Sequence, residues 1–378
     1  MTKAPPQPWH LLFVVGTRPE IIKMSPVIRA AEAHDDVTFT ICHTNQHYDE
    51  EMSAVFFETL GLSNPAENLG VGSGGHAQQT ADALTEIDSL LDIYEPDVVV
   101  AQGDTNAVLS AALATSKAPA LFAHVEAGLR SGDQAMPEEV NRALADDVAD
   151  LLFAPTETAR ENLQNEGIED GVFVTGNTIV DACEENLAIA KRKSTIHDAL
   201  SLEEPYAVAT IHRPRNTDST ARLHAILSAL ASLPFPVVLP AHPRVAAKID
   251  TWSEGDPTAL TVTEPLDYVD FLSLLADARV VVTDSGGVQE EASILEVPCL
   301  TVRPNTERPE TVAHGVNELV TPDALGDRLR TLFEDAEARA AMRGAPTLYG
   351  DGTAGTQIID RICTALEPPG QRATATAE

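Results

Sequence analysis

The sequence predicts an α/β fold built from two Rossmann-like halves, each a doubly wound parallel sheet. Short apolar runs alternate with amphipathic helical stretches along the chain, the order that builds parallel sheets through βα crossovers. The strand candidates are apolar at successive rather than alternate positions, as in Asp97-Val98-Val99-Val100-Ala101 and Val280-Val281-Val282, which suits strands buried on both faces. The alternation stops in a charged stretch ending near Glu204 and restarts at Tyr206, and 378 residues leave room for two ordinary domains.

In chain order, Leu11 to Val15 is the first strand, closed by Gly16-Thr17-Arg18-Pro19-Glu20. Proline fits a first helical turn, so a helix is expected from about Pro19 through Ala33, with Arg18 and Lys23 at or just inside its N-terminus. Val37 to His43 is a second strand, followed by the loop Asn45-Gln46-His47-Tyr48-Asp49, a Gly-rich turn at Gly70 to Gly75 and a long amphipathic helix over about Ala77 to Tyr94. The strand at Asp97 to Ala101 runs into Gln102-Gly103-Asp104-Thr105-Asn106 and an alanine-rich helix. Ala118 to His124 repeats the pattern, ending on Val125-Glu126-Ala127-Gly128-Leu129-Arg130, and Pro137-Glu138-Glu139 opens a helix carrying Asn141 and Arg142. Leu151 to Ala154 and Val172 to Val174 are further short strands, and a helix over about Thr178 to Lys193 leads toward the junction. The second half places strands at Tyr206 to Ile211, Val237 to Pro240, Leu260 to Val262, Val280 to Thr283 and Cys299 to Val302. The expected domains are residues 1–182, joined by a C-terminal helix at about 355–367, and residues 183–354, with a disordered tail at 368–378.

A formal net charge of −33 excludes general binding to nucleic acid or anionic membranes. The acid is spread along the chain while lysine is scarce, a surface like that of proteins from salt-rich cytoplasm. No apolar run reaches membrane-spanning length and the proline-rich start lacks a signal core, so the chain is expected in the cytoplasm. Cys42, Cys183, Cys299 and Cys363 lie far apart without a CxxC pair, against both a zinc site and a disulfide framework.

Against this acidic background the basic positions are informative. Val280 to Glu310 reads as strand, turn, helix, strand and turn, and Ser285-Gly286-Gly287 falls where its helix would begin. Unpaired N–H groups at a helix start suit a phosphate, and Arg303 and Arg308 stand on the following loop. His212-Arg213 and His242-Pro243-Arg244 follow strands of the same half. Asp104, Glu126 and Glu138 are the candidates for proton transfer, since each follows an apolar segment or opens a helix, where desolvation would raise its pKa. Asp104 could instead cap the helix that follows it, and Glu138 could be an ordinary helix-start carboxylate. Ligands of open parallel sheets bind at the carboxyl ends of strands, so a cleft between the halves is expected to collect these groups. No Ser-His-Asp arrangement, HExxH, Walker lysine or GxGxxG fingerprint at the first βα turn is present.

The segments GTRPEIIKMSP, NQHYDEEM, GDTNAVLSA, HVEAGLRSGD, MPEEVNR, APTE, VTGNTIVDA, PAHPR, EPLDYVDF, DSGGVQEEA and TERPE follow one another between about Leu11 and His314. In that order they resemble the motifs of the non-hydrolysing UDP-N-acetylglucosamine 2-epimerases. The resemblance implies a GT-B-type fold with the active site between two domains, a homodimer, and interconversion of UDP-N-acetylglucosamine with UDP-N-acetylmannosamine without metal, nicotinamide or other cofactor. It implies that Arg18, Lys23, His212, Ser285, Gly286, Gly287, Glu291 and Arg308 hold the UDP and sugar, that Phe271 lies at the uracil, and that Arg142 stands near the catalytic carboxylates; Arg213 and His242, at strand ends of the second half, are counted with the substrate-binding residues from their position. Asp104, Glu126 and Glu138 would be the catalytic carboxylates, with His212 counted beside them. Gln46, His47, Glu138 and Arg213 match a possible second, regulatory nucleotide-sugar site, although Asp49 stands where several bacterial members carry glutamine. Another departure is His212-Arg213-Pro214-Arg215-Asn216, where the family often has His-Arg-Arg-Glu-Asn. The competing expectations are a hydrolysing relative, a diacetamido-sugar 2-epimerase, a GT-B glycosyltransferase that would need an acceptor, and a nucleotide-sugar sensor.

The charge itself makes a prediction. Screening shortens the reach of repulsion from about 10 Å at 0.1 M salt to about 3 Å at 1 M. The melting temperature and activity are therefore expected to rise steeply from low ionic strength toward molar salt; a melting temperature that is flat or falls over that range contradicts the salt-adapted reading.

Overall fold

Thirteen strands, all paired in parallel, form two separate sheets in the computed structural model, which describes residues 8–44, 56–72, 74–202, 205–249, 251–252, 259–342 and 348–367. The chain divides into one unit of Met1–Ala182 with Tyr349–Glu378, and a second of Cys183–Leu348. The first holds β1 (Trp9–Val15), β2 (Val37–His43), β3 (Glu67–Asn68), β4 (Val98–Gln102), β5 (Leu121–Val125), β6 (Leu151–Ala154) and β7 (Val172–Val174) in the order β3-β2-β1-β4-β5-β6-β7. The second holds β8 (Ala207–Thr210), β9 (Val237–Pro240), β10 (Leu260–Thr263), β11 (Val280–Thr283), β12 (Cys299–Thr301) and β13 (Asn317–Leu319) in the order β10-β9-β8-β11-β12-β13.

Both orders reverse direction once, at β1 and β4 in the first unit and at β8 and β11 in the second, which is the doubly wound Rossmann pattern with its crevice beyond the carboxyl ends of those strands. The apolar runs form the cores: all five residues of β4 and all four of β11 are buried, as two-sided coverage by helices requires. Register aligns the ends at each reversal, with Val14 opposite Ala101 and Thr283 opposite Thr210, so the turns that follow emerge side by side.

Helix α1 (Arg18–Glu32) starts one residue before the expected Pro19 and buries Ile21, Met24, Val27 and Ile28. It is followed by α2 (His76–Tyr94), α3 (Asn106–Thr115) and α4 (Pro137–Val148) in the same unit. The C-terminal helix Ala354–Leu366 packs on α1, where Gly355 meets Pro26 so closely that a Cβ would lie 2.8 Å from the Pro26 carbonyl. Its Gly355 N–H donates to Asp181 at 2.9 Å, so the last helix is pinned within the first unit. Strands β3 and β13 are additions to the expected set; Glu-Asn and Asn-Glu-Leu carry no apolar run to announce them. Among the described residues no helix is long and apolar enough to cross a membrane, and the four cysteines are unpaired. The expected tail at 368–378 lies outside the described residues.

Candidate active site

The candidate groups of the first unit stand on the turns after β1, β4 and β5. After β1, the Glu20 carboxylate folds back to accept the N–H groups of Thr17 at 2.6 Å and Gly16 at 3.2 Å, and it accepts the Thr105 hydroxyl at 2.7 Å. One buried carboxylate thereby ties the turn that opens α1 to the turn that opens α3. Burial pushes its pKa up to about 7 against the lowering effect of Thr105 and Thr17, and the charge of Asp104 adds to the rise. Arg18 sits half-buried beside this turn with its guanidinium 5.6 Å from the Phe56 ring centre.

One turn further along α1, buried Lys23 pairs with Glu126 at 2.6 Å, and the other Glu126 oxygen accepts the Gln102 side-chain amide. Glu126 itself has φ 71, in the left-handed region that costs a side-chain-bearing residue of order 1–3 kcal/mol. Its backbone is held there because both Glu126 N–H and Ala127 N–H donate to the Phe153 carbonyl, at 3.0 and 3.1 Å. The next glycine in this turn, Gly128, also has a positive φ, and a Cβ there would lie 2.2 Å from the Ala159 carbonyl oxygen.

Asp104 does not cap the helix that follows it; Thr105 holds the N-cap position of α3, and the Asp104 carboxylate pairs with buried Arg142 of α4. Arg142 also reaches Glu139 at 3.1 Å, and Asn141 donates to the Asp104 carbonyl at 3.0 Å. The structure thus brings Lys23, Asp104, Glu126 and Arg142 to adjacent strand ends. Glu138 departs from expectation: it is exposed in the first turn of α4 rather than partly buried. Its neighbour Glu139 is the buried one, accepting N–H groups of Ser131 and Gly132. Burial works to raise the Glu139 pKa, but those N–H groups, the Ser131 hydroxyl and Arg142 together hold it below the usual range.

The second unit repeats the use of a buried carboxylate. Asp284, with no solvent exposure, accepts the N–H groups of His212 and Arg213 at 3.0 Å each, the Asn216 amide at 2.9 Å, and pairs with His212 Nδ1 at 2.8 Å. Burial opposes its charge, yet His212, Asn216 and the Arg213 N–H hold its pKa below the usual carboxylate value. With Nδ1 engaged, His212 has its Nε2 edge left for a ligand. His242 stands with its ring centre 5.8 Å from that of His212, and burial followed by the charges of His212 and Arg244 lowers its pKa. Ser285 caps the helix Gly286–Ile294 by accepting from Val288 N–H. A Cβ at Gly286 would meet nothing within 4 Å, and at Gly287 only the Ser285 hydroxyl at 3.9 Å. Neither packing nor backbone conformation demands glycine there, so what the two positions provide is bare N–H groups at an open helix start.

The arginines on the following loop are less available than the sequence suggested. Arg303 is bound to Glu307 through both terminal nitrogens at 2.6 and 2.8 Å, and Arg213 reaches the same carboxylate at 3.3 Å. Burial would raise the Glu307 pKa, but Arg303 and Arg213 bring it down to about 2. Arg308 is buried and paired with Glu290, while its N–H donates to Thr306, whose hydroxyl bonds to Gln289. Glu291 is buried on the same helix, and Phe271 is half-buried on the helix Tyr268–Asp277 against an apolar cluster. Gln46, His47 and Asp49 lie outside the described residues. Asp284 was among the strand-end groups the sequence offered, but sequence reasoning did not single out Glu20, Gln102, Glu290 or Glu307 for the site.

Two Rossmann-type parallel sheets, with cation-paired carboxylates at strand ends in one unit and a glycine-opened helix start beside a histidine in the other, define a GT-B-type α/β protein. The chain belongs to the UDP-N-acetylglucosamine 2-epimerase family, whose sequence profile matches residues 29–363. It is 45% identical over 367 residues to the UDP-N-acetylglucosamine 2-epimerase of Methanocaldococcus jannaschii, covering 94% of this chain and 98% of that protein. It is 38% identical over 357 residues to the UDP-2,3-diacetamido-2,3-dideoxy-D-glucuronate 2-epimerase of Pseudomonas aeruginosa, covering 93% and 99%. The crystal structure of the Methanocaldococcus jannaschii enzyme in complex with UDP-GlcNAc and UDP matches with a TM-score of 0.81 at 44% identity, covering 94% of this chain and 99% of that one.

The raised pKa of Glu20 sets a pH dependence. Between about pH 4.5 and 7 the folded protein keeps a proton that the unfolded chain has released, so this group lowers stability as pH rises through that window. Above about pH 7 the cost is complete, on the order of 3 kcal/mol. The melting temperature of Glu20→Gln relative to the parent protein is expected to climb between pH 5 and 8; a difference that does not change with pH contradicts a buried, proton-holding Glu20.

Proposed function

We propose that this chain interconverts UDP-N-acetylglucosamine and UDP-N-acetylmannosamine without hydrolysis. The observation that carries the reading is the strand-end constellation of the first unit, where Glu126, in a strained backbone conformation, is held by Lys23 and Gln102 beside the Asp104–Arg142 pair. Functional sites are where such strain collects. Membership of the epimerase family gives the constellation a substrate.

Inversion at C2 needs that carbon's hydrogen removed on one face and restored on the other. In the proposed reaction a carboxylate takes the C2 proton, the C–H electrons form the C1=C2 bond of a glucal, and the anomeric C–O electrons leave with UDP. The UDP oxygen then adds back at C1 while a second group delivers a proton to the opposite face of C2. Two faces require two proton carriers, which one carboxylate alone does not supply. Asp104, Glu126 and Glu138 are assigned this work, with Lys23 and Arg142 setting the charge around two of them. In the second unit, the N–H groups of Gly286 and Gly287, beside Ser285 whose own N–H donates to the Thr283 hydroxyl at 3.0 Å, and the Nε2 edge of His212 are assigned to the departing diphosphate, which they stabilise as its charge develops. Arg18, Arg213, His242 and Arg308 add positive charge or donors, Glu291 and Phe271 serve the nucleoside, and Gln46 with His47 would form a second nucleotide-sugar site.

A homodimer also fits this reading. On the first unit α2, α3 and α4 border a groove of about 470 Å³ lined by Ala77, Leu84, Leu113 and Val140, and Val140 and Leu144 are exposed.

Incubation of the purified protein with UDP-N-acetylglucosamine alone, followed by NMR, is expected to give UDP-N-acetylmannosamine. Free N-acetylmannosamine with UDP would mean a hydrolysing enzyme, and no reaction without an acceptor would mean a glycosyltransferase. Turnover only of a diacetamido-glucuronate nucleotide would align the chain with the Pseudomonas relative. Glu126→Gln, which keeps size but removes the titratable proton, is expected to lower kcat at least ~10²-fold with little change in UDP affinity by calorimetry; an unchanged kcat contradicts its assignment.

A further inference from the structure

His124, the one polar residue of β5, has no solvent exposure, and neither of its ring nitrogens faces a donor. Nδ1 lies 2.6 Å from an oxygen of Asp146 on α4, and Nε2 lies 2.8 Å from the Gly103 carbonyl in the turn after β4. Asp146 is kept ionised by its other partners: its second oxygen accepts Gly128 N–H at 3.1 Å and Arg130 at 2.7 Å, and Arg130 continues to Glu166 at 2.6 Å. Two acceptors, one of them a carboxylate, require two ring protons. The ring is packed against Phe122, with the two ring planes 19° apart.

These bonds end on the two turns that carry the candidate proton carriers. Gly103 immediately precedes Asp104 and is itself at φ 88, with its Cβ position 3.8 Å from a Glu126 oxygen. Gly128 closes the turn that begins at strained Glu126. We propose that His124 is a positioning residue that works as an imidazolium, clamping the Gly103–Asp104 turn to the Glu126–Gly128 turn so that the two carboxylates keep a fixed separation. The clamp rests on the proposed function of Asp104 and Glu126, and extends it by naming the group that sets their geometry.

The titratable and charged groups facing the ring are Asp146 from α4 and Glu126 from the end of β5, with Arg130 behind Asp146 and Lys23 of α1 on Glu126. Burial works to remove the proton from His124, but the charge and hydrogen bond of Asp146 outweigh it, so the imidazolium persists above the usual histidine range. Burial likewise resists the charge of Asp146, and His124 and Arg130 hold its pKa down.

The first measurement uses the unaltered protein. Nitrogen-15 NMR of labelled histidine should show one imidazolium with both ring nitrogens protonated and resistant to titration through neutral pH; a neutral, singly protonated His124 at pH 7 overturns the proposal without any variant having to fold. His124→Phe, which keeps the aromatic packing and removes both donors, is expected to lower kcat about 10²-fold with KM shifted less than about threefold, since a misplacement near 1 Å carries that cost. Asp146→Asn is expected to move the alkaline limb of kcat to lower pH, because His124 then loses its second proton sooner. A role in stability alone would lower the melting temperature of the variants and leave that limb in place, which also overturns the clamp. Glu126→Gln separates the two levels: a fully active Glu126→Gln sinks the assigned chemistry, whereas an inactive Glu126→Gln beside a folded, fully active His124→Phe sinks only the clamp.

Discussion

Sheets covered on both faces keep charged groups out of their central strands. With β4 and β11 buried throughout, no polar group can project from the middle of either sheet without losing its water. The polar residues that matter therefore gather on the turns after β1, β4 and β5 and after β8 and β11, where the strand order reverses and the flanking helices part. The location of the candidate groups is a consequence of sheet burial before it is a consequence of chemistry.

Turns are mobile unless something holds them, and both units use the same device. A carboxylate with almost no exposure reaches across from a neighbouring element and collects backbone N–H groups: Glu20 for the turns that open α1 and α3, Asp146 for the turns after β4 and β5 through His124, and Asp284 for the turn at His212. A buried ion such as Asp146 or Asp284 is expensive in isolation, and removing one partner of such a pair costs roughly 3–5 kcal/mol. What these groups contribute is a fixed arrangement of the turns, beside the Phe153 carbonyl that holds the left-handed backbone of Glu126.

The sequence made the sheet legible where strands were long and wholly apolar, and not where they were two or three polar residues at an edge, as at Glu67–Asn68 and Asn317–Leu319. It pointed to Asp104, Glu126, Lys23, His212 and the Ser285 helix start, because strand ends in a parallel sheet are recognisable from apolar runs alone. It did not show that Arg303 and Arg308 are paired with carboxylates. Their carboxylate partners lie four residues on at Glu307 and, at Glu290, on a different element, and a one-dimensional reading cannot tell a paired arginine from an available one. The same limit explains Glu138 and Glu139: adjacent residues of one helix face different ways, and only the helix's seat on its neighbours decides which is buried. His124 was read as the end of an apolar strand, since its partner is 22 residues away on α4.

In the proposed reaction, inversion removes the C2 proton to one group and returns a solvent-exchanged proton from another. Turnover of UDP-N-acetylglucosamine in heavy water tests this most directly, with the product's C2 position read by NMR and mass spectrometry. One solvent deuteron is expected at C2 of UDP-N-acetylmannosamine formed early in the reaction. Product that retains the substrate's own hydrogen at C2 would contradict it.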